Sequence, residues 1–475
     1  MTFAKTKIIC TIGPATQEKT VLLDMVQRGM DIARLNLSHG KIEDHISRIA
    51  TIREVEQEIG QKVTILGDLQ GPKIRIGKVE NGEVEIFDQQ ELIITTEPME
   101  FGNSQVVSTS YKDLVKEVKE GNLILLDDGY IHLICEKVDK SNIYTRVIKG
   151  GKLKSNKGIV VPGSKSNAPS LSEKDLEDLK AVLEAGIDMI ALSFVKNAND
   201  VRELKTAMKI FGRRVPIIAK IERGEAFEHI DEIIDEADGV MVARGDLGLE
   251  MPIEEIPILQ KELIRRSNLK AKPVITATQM LESMINNPMP TRAEVSDIAN
   301  AVLDGTDAVM LSAETSVGKF PLEAVSYMNK IITKTEKSLN KKIKLAFHNH
   351  HDADNISDSI ALSAVLLARN ISAKAIVTIT HSAYTARKIS KYRPNIPIIS
   401  ITNDINILAY LNLIWGVYPL FNDNEEINDE MIEFINSKLV ELNFAEKGDF
   451  IVLVTGLTEQ AINKNNLIKI INVNP

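Results

Sequence analysis

The sequence is poor in cysteine and in aromatic residues. Its 475 residues include only two cysteines, Cys10 and Cys135, and the aromatic fraction is 4%. Two cysteines so far apart in sequence provide neither a disulfide framework nor the close spacing of a zinc knuckle. Few aromatic side chains remain for a surface that stacks nucleic-acid bases. These shortages argue against a disulfide scaffold and against a base-stacking protein.

The chain also lacks an excess of positive charge and a long hydrophobic run. Lys and Arg number 57 against 66 Asp and Glu, which gives a formal net charge of −9. No apolar run approaches the roughly 18 residues of a membrane helix, and the first predicted strand begins too early for a signal peptide to precede it. We therefore predict a cytoplasmic protein with no nucleic-acid and no membrane partner.

Several widespread catalytic motifs are absent as well. The sequence contains no nucleophile elbow, no Rossmann glycine fingerprint and no zinc-binding helix motif. The stretch GGKLKSNKG, residues 150–158, resembles a phosphate loop but lacks the Walker pattern, and a solvated turn explains most of its lysines. The chemistry must therefore come from residues that are dispersed along the chain.

What the sequence does contain is a repeated run of apolar residues with the length of a strand. The eight runs are KTKIICTIG, MDIARLNLS, KVTILGDLQ, IDMIALSF, VPIIAKIE, GVMVARGD, KPVITATQ and TDAVMLSAE. Segments with helical spacing lie between most of them, so the pattern predicts an α/β fold with a (β/α)8 or TIM barrel. Active sites of such barrels lie at the carboxyl ends of the strands.

Two regions depart from the barrel pattern. After the third run, about 95 residues of short alternating runs with NG, DDG and GG turns predict an inserted all-β domain, placed where it can act as a lid. Ser172 and Asp175 then form a capping signal for the next helix. From residue 356 onward, helical and strand patterns alternate again, which predicts a separate C-terminal α/β domain with a largely parallel sheet.

These patterns predict the domain boundaries. The barrel takes residues 1–70 and 169–343, the β lid residues 71–168, and the C-terminal domain residues 344–475. Three histidines near the last boundary, His348, His350 and His351, lie in a polar linker without a fixed element, so they are interpreted as linker residues and not as metal ligands.

Charged residues at two neighbouring strand ends predict a metal site. Lys220 and Glu222 are two positions apart at the end of VPIIAKIE, so they point to the same side of the strand. Asp246 follows the next apolar run. Two carboxylates with a lysine between them suit a divalent metal and an anionic substrate.

A structural ion pair would explain one such strand alone. Polar residues at every strand end favour a site instead, and the predicted ring is Thr11, Arg34, Asn36, Asp68, Ser193, Lys220, Glu222, Arg244, Asp246, Thr276, Thr278, Ser312 and Glu314.

Longer segments resemble a known family. They are KIICTIGPAT, ARLNLSHG, GDLQGPKIR, AKIE, VMVARGDLG, ITATQMLESMI, PTRAEVSDIANAVLDGTDAVMLSAET and KYRP. Together they resemble the pyruvate kinase family from end to end, including its barrel, inserted lid and C-terminal effector domain. The resemblance implies a glycolytic phosphotransferase that makes pyruvate and ATP from phosphoenolpyruvate and ADP. It also implies a homotetramer and a need for Mg2+, with Mn2+ as an alternative ion.

The resemblance assigns roles to the residues around the reacting phosphoryl group. Glu222 and Asp246 would hold Mg2+, Lys220 would neutralise the phosphoryl group during transfer, and Arg34 would hold the phosphate from the other side. The backbone N–H groups of Gly245 and Asp246, at a helix start, would accept the substrate carboxylate.

Further residues would serve the proton and the nucleotide. Thr278 would lie near the carbon that gains a proton, with Ser312 and Glu314 as candidates for the proton path. Arg75 and Lys157, at the two hinges of the lid, would contact the nucleotide phosphates.

A monovalent-cation site is the first place where the sequence departs from the resemblance. Many relatives bind K+ through residues that match Asn36, Ser38 and Asp68 together with a threonine, and they carry a glutamate nearby. Here Leu69 stands at the threonine position and Lys73 at the glutamate position. A lysine ammonium can supply the charge that K+ would bring, so we predict that K+ is not required.

The effector loops of the C-terminal domain depart as well. In regulated relatives a glycine-containing loop binds an effector phosphate, but the matching stretch THSAYTA has Ala383 in place of a glycine and Tyr384 in place of a frequent basic residue. The later loop GLTEQAINKNN has lost its internal glycines. Anion nests depend on backbone conformations that glycine adopts easily. We therefore predict weak or no activation by a sugar bisphosphate, with a monophosphate or another ligand at Thr380, Ser382 and Thr385.

Two other functions are compatible with parts of this pattern. Another Mg2+-enolate barrel enzyme, such as a pyruvate aldolase or lyase, would use Glu222 and Asp246 but would not need a lid with basic hinges. A non-catalytic regulatory paralogue would be expected to lack part of the charged ring, and no part is missing.

Overall fold

The first three strands and two helices of a barrel open the chain. The computed structural model describes residues 4–165, 168–342, 356–424, 428–455 and 467–473, without the side chains of residues 339–342. The strands are β1 (Lys7–Thr11), β2 (Ile32–Asn36) and β3 (Thr64–Asp68), and the helices are α1 (Lys19–Gln27) and α2 (Ile42–Ile59).

A β domain is inserted after β3. Its strands are β4 (Glu83–Ile86), β5 (Glu91–Thr95), β6 (Val106–Ser108), β7 (Leu123–Leu126), β8 (Ile131–Val138), β9 (Asn142–Lys149), β10 (Gly151–Lys154) and β11 (Ile159–Val160). Six of them form a sheet in the order β11-β7-β8-β9-β5-β6, and β10 pairs with β4. The sequence predicted strands alone here, but one helical turn, α3 (Leu114–Glu117), is also present.

Five more strands complete the barrel. They are β12 (Met189–Leu192), β13 (Ile217–Ile221), β14 (Gly239–Ala243), β15 (Val274–Ala277) and β16 (Ala308–Leu311). The helices are α4 (Glu173–Glu184), α5 (Ala198–Ile210), α6 (Ile230–Glu236), α7 (Arg244–Glu250), α8 (Ile256–Leu269), α9 (Arg292–Asp304), α10 (Ala313–Ser316) and α11 (Pro321–Lys342). The strands close in the order β1-β16-β15-β14-β13-β12-β3-β2 with every neighbouring pair parallel. The predicted eight-stranded barrel is thus confirmed.

Alternating burial explains why apolar runs form these strands. Ile9, Ile32 and Leu66 pack with residues of other barrel strands, whereas Cys10 packs with helix residues such as Leu22. Successive strand residues point to opposite faces, and both faces are covered in a barrel. Continuous apolar runs are the expected consequence.

The helix after the insertion begins as the sequence predicted. The Ser172 hydroxyl accepts a hydrogen bond from the Asp175 backbone N–H at 3.1 Å, and the Asp175 carboxylate accepts the Ser172 N–H at 2.9 Å. This reciprocal pair satisfies two N–H groups at the start of α4. The chain therefore returns from the β domain to the barrel at a defined point.

The C-terminal part of the chain is an α/β domain. Its elements are α12 (Ile356–Asn370), β17 (Ile376–Ile379), α13 (Tyr384–Ser390), β18 (Ile398–Thr402), α14 (Ile405–Leu411), β19 (Val417–Phe421), α15 (Asp429–Glu441), β20 (Phe450–Thr455) and β21 (Leu467–Asn472). The sheet order is β19-β18-β17-β20-β21, in which only β21 runs antiparallel to its neighbour.

Ion pairs and hydrogen bonds join this domain to the barrel. The guanidinium of Arg393, from the KYRP segment, lies 2.9 Å from Asp307 Oδ1 and donates to the Gly305 carbonyl at 2.7 Å. The ammonium of Lys7 donates to the Val417 carbonyl at 2.8 Å.

His348, His350 and His351 lie outside the described residues. Within the described part of the chain, no helix has the length and apolar character needed to cross a membrane.

Candidate active site

Lys220 is the centre of a hydrogen-bonded group at the carboxyl ends of the barrel strands. Its ammonium donates to Asp68 Oδ1 at 3.0 Å and to the Ser193 hydroxyl at 2.7 Å. It also lies 3.0 Å from Glu222 Oε1. Lys220 and Glu222 therefore lie on the same side of the strand end, as their spacing predicted. They also form an ion pair, and the group extends across β12 to the end of β3.

Asp68 links Lys220 to a second cation, Arg34. Nε and Nη2 of Arg34 lie 2.8 and 2.7 Å from Asp68 Oδ2, and Nη1 donates to the Thr11 hydroxyl at 2.8 Å. Since Lys220 uses Oδ1 and Arg34 uses Oδ2, one carboxylate orients both cations. Asp68 is only 1% exposed, so water does not compete for these bonds.

The carboxylate of Asp68 and the ammonium of Lys220 each stabilise the charge of the other. Burial alone would raise the pKa of Asp68, but the charges of Lys220 and Arg34 outweigh it and lower that pKa. Burial acts to lower the pKa of Lys220, yet the carboxylates of Asp68 and Glu222 raise it well above its ordinary value. Lys220 is therefore held as a cation in a nearly dry site, where a fixed charge interacts strongly with an anionic substrate.

Glu222 and Asp246 supply carboxylates that suit a divalent metal. Glu222 is 1% exposed, and its Oε2 accepts the Phe194 backbone N–H at 2.7 Å, which fixes its orientation. Burial raises the pKa of Glu222, the Lys220 charge opposes this, and the neighbouring Asp246 charge raises it further. A bound cation would relieve the repulsion between the two carboxylates.

The two carboxylates of Glu222 and Asp246 fit a Mg2+ ion whose remaining ligands are water and substrate oxygens. Among the described residues, no group of three or more His, Cys, Asp and Glu side chains could hold a metal ion. Mg2+ in phosphoryl-transfer sites is commonly bound by one or two carboxylates, with water and substrate oxygens as the other ligands. Glu222 and Asp246 match that arrangement.

A strained turn after β15 lies beside the start of α7. Thr278 and Gln279 have φ angles of +68° and +53°, which are unusual for residues other than glycine and especially for a β-branched residue. The Thr278 hydroxyl accepts the Gly245 backbone N–H at 2.8 Å. Arg244 supports this turn, because its guanidinium donates to the Thr278 carbonyl at 2.7 Å and pairs with Asp297 at 2.8 Å. Strain of this kind is characteristic of functional sites.

Glu314 fixes the neighbouring strand end. Its Oε2 accepts the Ser312 backbone N–H at 2.7 Å, and its Oε1 accepts the Leu281 backbone N–H at 3.0 Å. Both oxygens of this buried side chain thus accept backbone hydrogen bonds, which fixes its orientation. Glu314 connects the end of β16, with the half-buried Ser312, to the loop that follows Thr278.

The two segments that join the β domain to the barrel pair with each other. Arg75 and Gly158 form an isolated antiparallel bridge, and the Ile76 N–H donates to the Lys157 carbonyl at 2.9 Å. The Arg75 guanidinium donates to the Asn156 carbonyl at 2.9 Å. Pairing of the two segments brings Arg75 and Lys157, which are 82 positions apart in sequence, into one region.

A cleft separates the β domain from the barrel. On the β-domain side it is lined by Pro72, Lys73, Ile74, Ile159, Val160 and Ala168, and on the barrel side by Phe194, Lys196, Glu222, Arg223, Asp246 and Glu250. The two proposed metal ligands therefore face a cavity whose other wall belongs to the inserted domain. A substrate bound there would be enclosed by both.

Comparison with known proteins agrees with this arrangement. Residues 3–325 match the family model described as pyruvate kinase, barrel domain, and residues 358–471 match the model of the pyruvate kinase alpha/beta domain. The chain belongs to the pyruvate kinase family. The pyruvate kinase of Geobacillus stearothermophilus is 44% identical over 469 residues, which cover 98% of this chain and 80% of that protein.

Two further relatives match over nearly their whole length. The pyruvate kinase of Mycobacterium tuberculosis is 41% identical over 464 residues, covering 98% of this chain and 97% of that protein. A crystal structure of a pyruvate kinase from Cryptosporidium parvum has a TM-score of 0.93 and 38% identity, and it covers 99% of this chain and 96% of its own. The chain is accordingly a phosphotransferase of the glycolytic family that forms pyruvate and ATP from phosphoenolpyruvate and ADP, a family that generally needs a divalent metal.

The ammonium of Lys73 pairs with residues other than those of the predicted monovalent-cation site. It lies 3.3 Å from Asp128 Oδ1 and 3.9 Å from Asp246 Oδ1. Within the described part of the chain, it makes no hydrogen bond or ion pair with Asn36 or Ser38, nor with Asp68.

The other members of the predicted cation site have their own contacts. The Asn36 side-chain oxygen accepts the Ser38 backbone N–H at 3.2 Å, and Leu69 is fully buried. Burial lowers the pKa of His39, and the charges of Arg75, Lys73 and Arg34 lower it further.

The loop THSAYTA of the C-terminal domain adopts a strained conformation. Ala383 has a φ of +59° at the start of α13, a conformation that glycine would adopt more easily. Thr380 accepts the Ser382 backbone N–H at 3.5 Å, and Thr385 is buried. The later loop GLTEQAINKNN lies outside the described residues.

Some contributions to the site were not assigned from the sequence. Asp68 was predicted as a member of the polar ring and of a cation site, and Ser193 and Arg244 only as members of the polar ring. All three stand at or just after strand ends, so the barrel rule located them. Their roles depend on contacts between strands that are distant in sequence.

Proposed function

We propose that Arg34 and Lys220 hold the phosphoryl group that passes from phosphoenolpyruvate to ADP. The supporting observation is that Asp68 binds both cations through its two oxygens, which fixes their spacing before substrate arrives. Phosphoryl transfer depends on positioning and on charge stabilisation more than on covalent catalysis. Cations that are already oriented need little reorganisation when charge develops.

Glu222 and Asp246 are proposed to hold Mg2+, with Mn2+ as an alternative ion. When bound, the metal would stabilise negative charge on phosphate and enolate oxygens as a Lewis acid. The chain's own contribution is to hold Glu222 through the Phe194 N–H and Lys220, so that the carboxylate is oriented toward the cleft.

The carboxylate of the substrate is proposed to bind at the start of α7. The N–H groups of Gly245 and Asp246 would donate to it. In this structure the Gly245 N–H donates to the Thr278 hydroxyl oxygen, so substrate would displace that contact and free the oxygen as an acceptor. The hydroxyl itself donates to the Ala277 carbonyl at 2.6 Å. Thr278 and Ser312 are then proposed to lie on the route of the proton to the enolate. Glu314 would take part by holding the Ser312 backbone.

Arg75 and Lys157 are proposed to bind the nucleotide phosphates. Their position on the paired segments between the two domains supports this role, because a nucleotide bound there would reach the cleft. The β domain, residues 71–168, would act as a lid that excludes water from the barrel, residues 1–70 and 169–343. Residues 344–475 would form an effector-type domain.

The remaining expectations from the resemblance are proposed in the same way. The enzyme would act in the cytoplasm as a homotetramer, and its activity would not depend on K+.

A coupled assay with phosphoenolpyruvate and ADP tests the reaction directly. ATP and pyruvate should form in equal amounts only when a divalent metal is present. Enolate chemistry without phosphoryl transfer, such as cleavage of a pyruvate aldol, would indicate the other class of barrel enzyme.

Binding of Mn2+, followed by its electron paramagnetic resonance signal, should weaken in Glu222→Gln and in Asp246→Asn. Binding at wild-type strength in both variants would contradict the proposed metal site.

A further inference from the structure

A strained acidic turn lies at the edge of the cleft. It connects β7 to β8, and both Asp127 and Asp128 have left-handed backbones, with φ of +51° and +52°. Two consecutive non-glycine residues in this region are unusual, and aspartate is one of the few residues that tolerate it. The Asp127 N–H donates to the Gly158 carbonyl at 3.2 Å, which ties the turn to the segment that carries Lys157.

The two carboxylates of this turn contact the cations at the lid hinges. Asp127 Oδ1 lies 2.6 Å from the Lys157 ammonium, and Asp128 Oδ1 lies 3.3 Å from the Lys73 ammonium. The Asp127 side chain is 14% exposed, whereas that of Asp128 is 57% exposed. The Asp127 pair is thus the better shielded, and Lys157 is one of the two residues proposed to bind nucleotide phosphates.

The turn also touches the barrel. A Cβ placed on Gly129 would lie 3.0 Å from Leu249 Cδ2, so the backbone of the turn packs closely against α7. The same helix carries Asp246, one of the proposed metal ligands. The acidic turn therefore lies between the nucleotide-binding hinge and the metal site.

We propose that Asp127 occupies Lys157 in place of a nucleotide phosphate, so that it sets the affinity of the enzyme for ADP. Carboxylate and phosphate oxygens accept the same charge-assisted hydrogen bonds from an ammonium. ADP must therefore replace Asp127 at Lys157, and the released carboxylate repels the incoming phosphates. This inference rests on the proposed nucleotide-binding role of Lys157. It concerns ADP and not phosphoenolpyruvate, because the Arg34 and Lys220 group does not include Asp127.

Asp127→Asn is the appropriate substitution. Asparagine keeps the size of the side chain and also tolerates a left-handed backbone, so the variant removes the charge and little else. Asp113→Asn is a matched control, since Asp113 lies in the same domain and forms an exposed ion pair with Lys116. Equal thermal unfolding midpoints would show that both variants fold.

The decisive measurement is the Kd of ADP and of adenosine by calorimetry, without phosphoenolpyruvate. Asp127→Asn should lower the Kd of ADP by about two- to tenfold, the range for removing a partly exposed competing charge. Adenosine binding and the control variant should be unchanged. An unchanged or raised Kd of ADP in Asp127→Asn would overturn the proposal.

A second variant separates this proposal from the nucleotide-binding role itself. Lys157→Met should weaken ADP binding. In the Lys157→Met background, Asp127→Asn should change the Kd of ADP no more than the loss of any one negative charge from the same domain would. If Lys157→Met leaves ADP binding unchanged, the proposed function of Lys157 fails. If Lys157→Met weakens binding but Asp127→Asn changes nothing in the wild-type background, only the competition by Asp127 is refuted.

Discussion

Lys220 and Asp68, which are 152 positions apart in sequence, are joined by a 3.0 Å hydrogen bond at the carboxyl ends of two barrel strands. Through its other oxygen Asp68 also binds Arg34. Because this carboxylate sets the spacing of both phosphate-binding cations, changes at Asp68 and at Lys220 should have different consequences.

Asp68→Asn should lower kcat without abolishing it. Arg34 and Lys220 would remain in place but would lose their shared anion and repel each other, and a loss of roughly 10–100-fold is expected for a residue that orients catalytic groups. Stability should also fall, because a buried charge pair loses one partner.

Asp188→Asn is the control for the Asp68 variant. Asp188 is a buried carboxylate at the opposite end of the barrel, where it pairs with Arg53 at 2.7 Å. It should lower the free energy of unfolding while leaving kcat unchanged. Equal kinetic losses in the two variants would show that Asp68 acts only through stability.

Lys220→Met should reduce phosphoryl transfer by roughly 10²–10³-fold or more, the scale for losing one preorganised donor. Binding of Mn2+ through Glu222 and Asp246 should largely survive, as measured by electron paramagnetic resonance. Lys205→Met, which removes a lysine paired with Glu236 on the outer surface, should keep normal turnover. Near-normal turnover in Lys220→Met would remove this lysine from the mechanism.

Activity should not require K+. Lys73 lines the cleft and places an ammonium 3.9 Å from Asp246. The charge of this lysine repels an added K+. The side chain of Leu69 also offers no oxygen ligand at the threonine position.

The K+ test compares turnover in tetramethylammonium buffer with and without K+, at saturating Mg2+. The wild-type rate should be nearly unchanged, whereas Lys73→Glu should acquire a K+ requirement. Lys116→Glu, on an exposed part of the β domain, serves as the charge-reversal control. Strong activation of the wild-type enzyme by K+ would contradict the prediction.

Fructose 1,6-bisphosphate should activate weakly or not at all. Ala383 already adopts the left-handed backbone that a glycine would supply, so the backbone does not decide the matter. The prediction depends instead on Tyr384, which stands in place of a frequent basic residue. The half-saturating concentration of phosphoenolpyruvate should therefore stay constant as the bisphosphate is added. A large decrease would show that the loop binds it.

Stability should depend on pH through Glu250, the last residue of α7. Burial raises the pKa of Glu250 to about 7, Arg223 opposes this, and Glu225 adds to it. The folded protein thus holds this proton more tightly than the unfolded chain, where the ordinary value is 4.5. The stabilisation is complete below pH 4.5 and is lost as the pH rises to about 7, a change of about 3 kcal/mol.

Denaturant unfolding of wild type and Glu250→Gln between pH 4.5 and 7.5 tests this effect. The wild-type free energy of unfolding should fall more steeply with pH than that of the variant. Glu262→Gln is the control, because hydrogen bonds from Arg265 lower the pKa of Glu262 to about 2, outside this range. Parallel curves for wild type and Glu250→Gln would show that Glu250 does not titrate there.

The amino-acid pattern was enough to predict the barrel and the end of it that carries the chemistry. Strand-length apolar runs that alternate with segments of helical spacing are typical of a (β/α)8 barrel. The polar residues at the end of each run mark the carboxyl end of the strand. Lys220 and Glu222 could be placed on one side of a strand because the side-chain period of a strand is two. The Ser172 and Asp175 cap was predictable because it depends on residues three positions apart.

Contacts between charged residues that are distant in sequence depend on how the whole chain folds. The two oxygens of Asp68 contact Arg34 and Lys220 because β3 lies next to β2, which carries Arg34, and one strand away from β13, which carries Lys220. Lys73 lies near Asp128 and Asp246 because the inserted domain folds back over the barrel. Sequence pattern records which residues reach a strand end, but distances between strand ends depend on barrel closure and on domain packing, which no local pattern encodes.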